Sequence, residues 1–396
     1  MAAEARASYD VAIIGGGVIG CAVAYFLAAD PGFDGTVAVI ERDPSYEDCS
    51  TTRSAGSIRQ QFSTPENIQM SLFGRAFLDS VGEALAVEGE RPDIGFVERG
   101  YLFLASEATK AALEASHAIQ KAHGADNVLL APAEIEARFP WLSAEGVAVG
   151  SLGLSGEGWF DPASLLHAFR RKARSLGALY LRDEVTGIER TGGRVAALTM
   201  ASGVRIACGA VVNAAGPRAG RVAALAGIDL PVTAKKRFVF VFDCREDLPG
   251  CPLVIDPAGV YFRPESGKFI GGVSPAPEND PDCFDLEVDY SWFDDRVWPR
   301  LAARVKAFEA VKMAGAWAGH YDYNTVDQNA VLGPHPETRN FFFANGFSGH
   351  GLQQSPAAGR ATAELIVHGA YRTLDLGRFG YARFAAGEPV RELAVV

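Results

Sequence analysis

The sequence predicts an α/β protein, α+β overall, in which pieces of a parallel-stranded layer alternate along the chain with pieces of an antiparallel sheet. Three observations carry this. The apolar run Val11-Ala12-Ile13-Ile14 meets Gly15-Gly16-Gly17-Val18-Ile19-Gly20, a G-x-G-x-x-G turn that opens a helix. A second apolar strand, Thr36-Val37-Ala38-Val39-Ile40, ends on Glu41, 21 positions after Gly20. Near the other end, the apolar run Phe341-Phe342-Phe343-Ala344-Asn345 enters a second glycine-rich turn, Gly346-Phe347-Ser348-Gly349-His350-Gly351, before a helix to His368. The N-terminal segment therefore begins a layer that the C-terminal segment closes.

The first turn reads as a Rossmann-like dinucleotide site. Gly15 permits the tight turn, Gly17 lets backbone N–H groups approach a pyrophosphate at the helix N-terminus, and Gly20 lets helix and strand pack closely. The Glu41 carboxylate can accept both ribose hydroxyl hydrogens. Residues 11–29 carry no charge, so a membrane span or signal sequence competes with this reading. Gly15, Gly16, Gly17, Gly20 and Tyr25 interrupt such a span, and the flank sets one base, Arg6, against two acids, Glu4 and Asp10.

The first helix ends at Asp30-Pro31-Gly32. The loop from Cys49 through Ser50, Thr51, Thr52, Arg53, Ser54 and Ala55 to Gly56 offers hydroxyls and N–H groups suited to phosphate oxygens. Thr64-Pro65-Glu66 starts a helix whose expected buried face is Ile68, Leu72, Phe73, Ala76, Phe77 and Val81. A strand pattern over 96–106 gives way to a helix through Lys121, a short helix covers 133–139, and Asp161-Pro162 caps another to Leu176. Strands follow at 178–182, 185–191, 194–200 and 206–213, with a hairpin at Thr191-Gly192-Gly193. The last runs into Ala214-Ala215-Gly216-Pro217, small enough to approach a dinucleotide. From 232 to 273 strands recur, including 237–243, 260–263 and 268–272. Residues 293–311 read as one helix and 312–319 as a strand. The resulting division gives 9–90, 150–228 and 325–396 to the nucleotide-binding domain, and 91–149 and 229–324 to an antiparallel substrate domain.

A chain of 396 residues that is 48% hydrophobic and 21% charged can bury a full core. Its 37 basic against 48 acidic residues give a net charge of −11, which argues against nucleic acid as a partner. The six cysteines show no C-x-x-C spacing and read as free thiols of a reducing, cytoplasmic compartment, with no metal site.

Taken together, the glycine fingerprint with Glu41-Arg42, the loop Ser50 to Gly56, Asp183-Glu184-Val185, Asn213-Ala214-Ala215-Gly216 and Gly346 to Gly351 resemble the D-amino-acid-oxidase-like flavoprotein family from end to end. That family includes glycine and sarcosine oxidases and D-amino acid dehydrogenases. Gln60-Gln61-Phe62-Ser63, Trp317 to Thr325 and Gly351-Leu352-Gln353-Gln354 are similar to a branch of it that contains a respiratory-complex assembly factor. The resemblance implies FAD, held non-covalently, with its ring between the two domains. It places Glu41 at the ribose, Arg42 near the adenine, Ser50, Thr51 and Ser54 along the pyrophosphate and ring, and the Val185 backbone at the adenine. It also implies that Gly349, His350, Gly351, Leu352 and Gln353 turn N–H groups and a helix dipole toward the pyrimidine edge, where a reduced flavin gathers negative charge.

The implied chemistry is hydride removal from the carbon beside an amine onto flavin N5, followed by imine hydrolysis. A small N-alkylated or secondary amino acid such as sarcosine is the expected substrate. A D-amino acid or glycine is one alternative, and a FAD-containing assembly protein without turnover is another. The anchors are Arg59, which aligns with a carboxylate-binding arginine, and Tyr261, which shares a strand face with Arg263. Tyr321 stands where D-arginine-type dehydrogenases place an arginine, and Gln353 replaces a carboxylate-holding lysine of sarcosine oxidases. His320 aligns with the cysteine that bonds FAD in monomeric sarcosine oxidases, and Arg53 with the attaching histidine of sarcosine dehydrogenases. Lys268 lies one position from an oxygen-activating lysine, on the opposite strand face. The acceptor is left open among dioxygen, a quinone and an electron-transfer flavoprotein. A nicotinamide-dependent reductase would need a second G-x-G-x-x-G unit, which the sequence lacks.

Overall fold

The computed structural model describes residues 6–393. Among them, a first sheet of eight strands runs Val185–Thr191, Arg194–Met200, Arg205–Asn213, Ser8–Ile14, Val37–Glu41, Leu179–Arg182, and the C-terminal half of Arg205–Asn213 also receives Phe341–Asn345, itself paired with Val331–Pro334. Ser8–Ile14 lies parallel to both Val37–Glu41 and Arg205–Asn213. Apolar strands buried on both faces need helical cover. The uncharged helix Val18–Ala29 provides it, packed so closely on helix Gly351–His368 that a Cβ at Gly359 would lie 2.7 Å from that of Ala22. No helix among the described residues is long and apolar enough to cross a membrane.

The second sheet, also eight-stranded among the described residues, runs Lys312–Asn324, Val232–Asp243, Lys268–Gly272, Tyr261–Glu265, Leu253–Ile255, Tyr101–Ala105, Val149–Gly153, Asn127–Leu130. Its neighbours are antiparallel except Leu253–Ile255 with Tyr101–Ala105, which are parallel. Along Val232–Asp243 the period of two sends Phe240 and Phe242 into a core with Phe262, Phe293 and Phe308, and Arg237 and Val239 to the opposite, cavity-lining face. Strand Val149–Gly153 pairs in this sheet, so we propose a domain boundary after Gly153 rather than at 150.

Three elements depart from the expectations. Residues 293–311 form successive turns of different pitch: Phe293–Val297 with i→i+5 bonding, the α-helix Trp298–Arg304, and the 3₁₀ turn Lys306–Ala310. Pro299 lacks the N–H a continuous helix needs there, and Val305 is extended. Strand Lys312–Asn324 runs five residues beyond the expected end at 319. Helix Pro65–Asp79 buries Ile68 as expected, and Val81 just beyond it is buried too, but Ala76 is exposed, Leu72, Phe73 and Phe77 are only half-buried, and Glu66, Asn67, Met70, Ser71, Gly74 and Leu78 are buried in addition. The reason is a polar seam. Asn67 donates to Asn329 (2.6 Å) and to Glu392 (2.9 Å), and accepts from Gln354 (2.9 Å). The Glu392 carboxylate, returning from the C-terminal segment, also accepts from the N–H groups of Ser63 (2.8 Å) and Thr64 (3.1 Å).

Candidate active site

A cavity of about 770 Å³ opens where the first sheet's parallel strands end and the second sheet faces them. The Gly15 N–H donates to Ile40 O and the Ala214 N–H to Ile14 O, both at 2.9 Å, which aligns three strand ends at one mouth. A Cβ on Gly20 would overlap the Gly15 carbonyl, so only glycine lets the helix start directly on the turn. Glu41 accepts from the N–H groups of Gly16 and Asp43, each at 2.7 Å, and burial raises its carboxyl despite them. Thr51 Oγ1 accepts the Val18 N–H at 3.1 Å, so the polar loop caps the first helix, and Ser54 Oγ accepts from Gly56 at 3.1 Å.

The C-terminal turn closes the far end. Gly349 sits at φ +98°, and a Cβ there would come within 2.5 Å of the Tyr321 ring. The His350 N–H is used inside the turn, donating to Phe347 O at 3.0 Å, which corrects the expectation that it faces the cofactor. The first helical bond is Gln354 N–H to His350 O, so the N–H groups of Gly351, Leu352 and Gln353 precede the ladder at the N-terminus of an 18-residue helix.

Between these ends stands the anchor. Arg59 is buried, with its guanidinium carbon 4.1 Å from the centre of the Phe62 ring and 5.2 Å from that of Phe103. Its Nη1 donates to Gln61 O and its Nη2 reaches His350 Nε2 at 3.1 Å. Gln353 is occupied in holding this residue: its Oε1 accepts the Arg59 backbone N–H at 2.7 Å. Tyr261, Tyr321 and Tyr101 line the same end of the cavity with Leu253, Ile255 and Val239. Behind Arg59, Glu157 accepts from Gln60, Gln61 and Tyr101, and burial still pushes its carboxyl up to about 7.

Most of the expected residues line this one cavity: Gly15, Gly17, Val18, Ile19, Glu41, Arg42, Ser50, Thr51, Ser54, Ala55, Arg59, Val185, Ala214, Ala215, Gly216, Tyr261, Tyr321, Gly349, His350, Gly351, Leu352 and Gln353. Gly20, Gly56, Gly346 and Arg263 stand behind its wall. Gly56 accepts from Phe160, Gly346 is packed beside Val232, and Arg263 is held by Glu265, the Ala55 carbonyl and the Trp159 ring. Arg263 therefore ties the polar loop to the second sheet rather than meeting substrate. Lys268 also lies outside, paired with Asp243 and 44% exposed. His320 lines the cavity with its Nε2 2.9 Å from Asp285 O, and Arg53 beside it is fastened to Asp48 and Ala318 O. Tyr46, Tyr101 and Arg237 are cavity residues that motif reading missed. Alternation along Val232–Asp243 was the available signal for Arg237, which forks onto Asp280 with two 2.8 Å bonds.

A carboxylate for ribose hydroxyls, a turn of N–H donors for a diphosphate and a helix N-terminus for an electron-rich ring edge follow one another along the cavity. Two buried hydroxyls of wall residues, Tyr46 Oη and Ser50 Oγ, have no hydrogen-bond partner among the described residues, which suits a wall that a ligand completes. These residues fit FAD. The chain is 48% identical to the FAD-dependent oxidoreductase domain-containing protein 1 of Xenopus laevis, over 98% of this chain and 85% of that one. It is 32% identical to the glycine oxidase of Geobacillus kaustophilus, over 95% and 97% of the two chains. Among solved structures, L-proline dehydrogenase from P. horikoshii superposes with a TM-score of 0.86 at 27% identity, covering 98% of this chain and all of that one. The FAD dependent oxidoreductase family matches residues 10–365, and this chain belongs to it.

Proposed function

We propose that the protein oxidises the C–N bond of a small secondary or N-alkylated amino acid. The observation that carries this reading is Arg59, a buried guanidinium at the end of the cavity where the Gly351 helix begins, with apolar and tyrosine side chains opposite. A cation is retained in such a place when a carboxylate is to be held there. The wall of Leu253, Ile255 and Val239 offers nothing to an ammonium ion and favours the neutral amine that hydride loss requires. FAD, when bound, would supply the acceptor for a hydride from the carbon beside nitrogen. The protein's own residues orient: Arg59 takes the carboxylate, His350 and Gln353 fix Arg59, and Tyr261 and Tyr321 bound the space left for the amine substituent. That relatives act on glycine and on proline, as their names state, brackets the proposed class between a primary amine and a ring amine.

The test is anaerobic mixing of the FAD-loaded protein with sarcosine, other N-methyl amino acids, proline, glycine and D-alanine while flavin absorbance is followed. Bleaching by the secondary and N-alkyl members is expected. Bleaching by glycine or D-alanine alone would transfer the assignment to a primary-amine enzyme, and no bleaching by any member would remove the support for turnover.

A further inference from the structure

Arg42, at the end of strand Val37–Glu41, and Arg218 and Arg221, from the segment after Asn213–Gly216, line the cavity without a carboxylate partner among the described residues. Arg218 and Arg221 converge on one ring, with guanidinium carbons 5.0 and 3.8 Å from the centre of Phe284. Phe284 itself lines the cavity, on a segment fastened to the second sheet by Lys235–Asp282, Lys236–Asp285 and Arg237–Asp280. Like charges gathered against one aromatic ring repel: burial first, and then Arg42 and Arg221, act against the charge on Arg218, with Glu184 favouring it. Such a grouping is relieved by an anion between them. FAD would bring one, a diphosphate, into the cavity that the glycine turn and these arginines line together.

We propose that Arg218 and Arg221, steadied by the Phe284 ring, form an outer clamp on the diphosphate of FAD. The binding of FAD thereby ties the segment after Asn213 to the segment that carries Phe284. This inference depends on the FAD site alone and stands whatever the substrate.

The experiment is equilibrium binding of FAD, and separately of riboflavin, to apoprotein at several salt concentrations, read by flavin fluorescence. In R218Q/R221Q the FAD Kd is expected to rise by roughly tenfold or more, the salt dependence of FAD binding to flatten, and the riboflavin Kd to stay within about twofold. R218K/R221K, which keeps the charge, should recover most of the FAD affinity, and F284L should weaken FAD less than the double arginine variant. FAD affinity and salt slope unchanged in R218Q/R221Q would overturn the proposal. So would an equal loss for riboflavin, which has no phosphate, and far-ultraviolet circular dichroism of each variant separates either result from misfolding.

Discussion

Arg59 donates through Nη2 to Nε2 of His350 across 3.1 Å, with both side chains buried. A guanidinium has no lone pair to offer, so Nε2 is the acceptor and the imidazole proton sits on Nδ1. Burial first, and the Arg59 charge second, push the His350 pKa down to about 3 from 6.5. The unfolded chain then binds a proton between those limits that the folded chain does not, so this group's contribution is present above pH 6.5 and is lost as pH falls toward 3. Glu157, raised to about 7 from 4.5, has the opposite sign and costs stability as pH rises through that range. The informative quantity is therefore a difference. H350Q retains an acceptor and cannot titrate, so its denaturant-measured stability relative to the native chain should improve steadily as pH drops below about 6. A constant difference would contradict the neutral, buried imidazole.

Arg59 carries the proposed carboxylate contact, and R59K keeps the charge while losing the planar fork. The expected result is a KM for amino acid substrates raised about tenfold or more, with kcat changed less, measured by steady-state turnover. A carboxylate competitor such as acetate should lose affinity in parallel. An unchanged KM and competitor affinity would show that Arg59 serves contacts within the protein and not the substrate.

How much of this is legible in the sequence follows from which interactions are local. Gly15 to Gly20, Glu41 and Gly346 to Gly351 announce themselves because turn geometry and helix entry act over a few residues. The buried face of Pro65–Asp79 is hidden because Asn67 and Ser71 look solvent-bound in isolation. Asn67 faces inward only because Asn329, Gln354 and Glu392 arrive from more than 250 positions away. Strand alternation suggests a substrate role for Arg263 by putting it on the Tyr261 side, but it cannot show that the Ala55 carbonyl waits there. Pro299 is visible as a residue, and its missing N–H accounts for the change of pitch from Phe293–Val297 to Trp298–Arg304, whereas the extended Val305 that ends that helix carries no such signal.

Lys268 offers a negative control for the acceptor question. Its ammonium is paired with Asp243 outside the cavity, and it is not among the residues facing the cofactor site. K268M should leave kcat/KM, FAD affinity and the rate of flavin reoxidation by dioxygen each within about twofold of the native values, since an exposed pair contributes little. A large drop in reoxidation alone, followed in a stopped-flow instrument, would place this lysine in contact with the reaction after all.

Gly349 gives the sharpest test of how the two halves of the site are coupled. At φ +98° an alanine is strained, and its Cβ would meet the Tyr321 ring at 2.5 Å. Backbone strain of this kind costs about 1–3 kcal/mol. The clash adds to it because the ring has the Arg237 guanidinium 5.1 Å from its centre and little room to retreat. G349A should therefore lose stability and also displace the N–H groups of Gly351 and Leu352, weakening FAD. Y321A by itself removes a cavity wall and the ring packed on Gly349 while leaving the turn's own residues unchanged. If the clash outweighs the strain, adding Y321A to G349A restores part of the FAD affinity that G349A lost, and the double variant is more stable than the sum of the singles requires. If backbone strain dominates, the two losses add, because removing the ring does nothing for the left-handed residue. Denaturant melts and FAD titrations of the two single variants and the double variant decide between these outcomes.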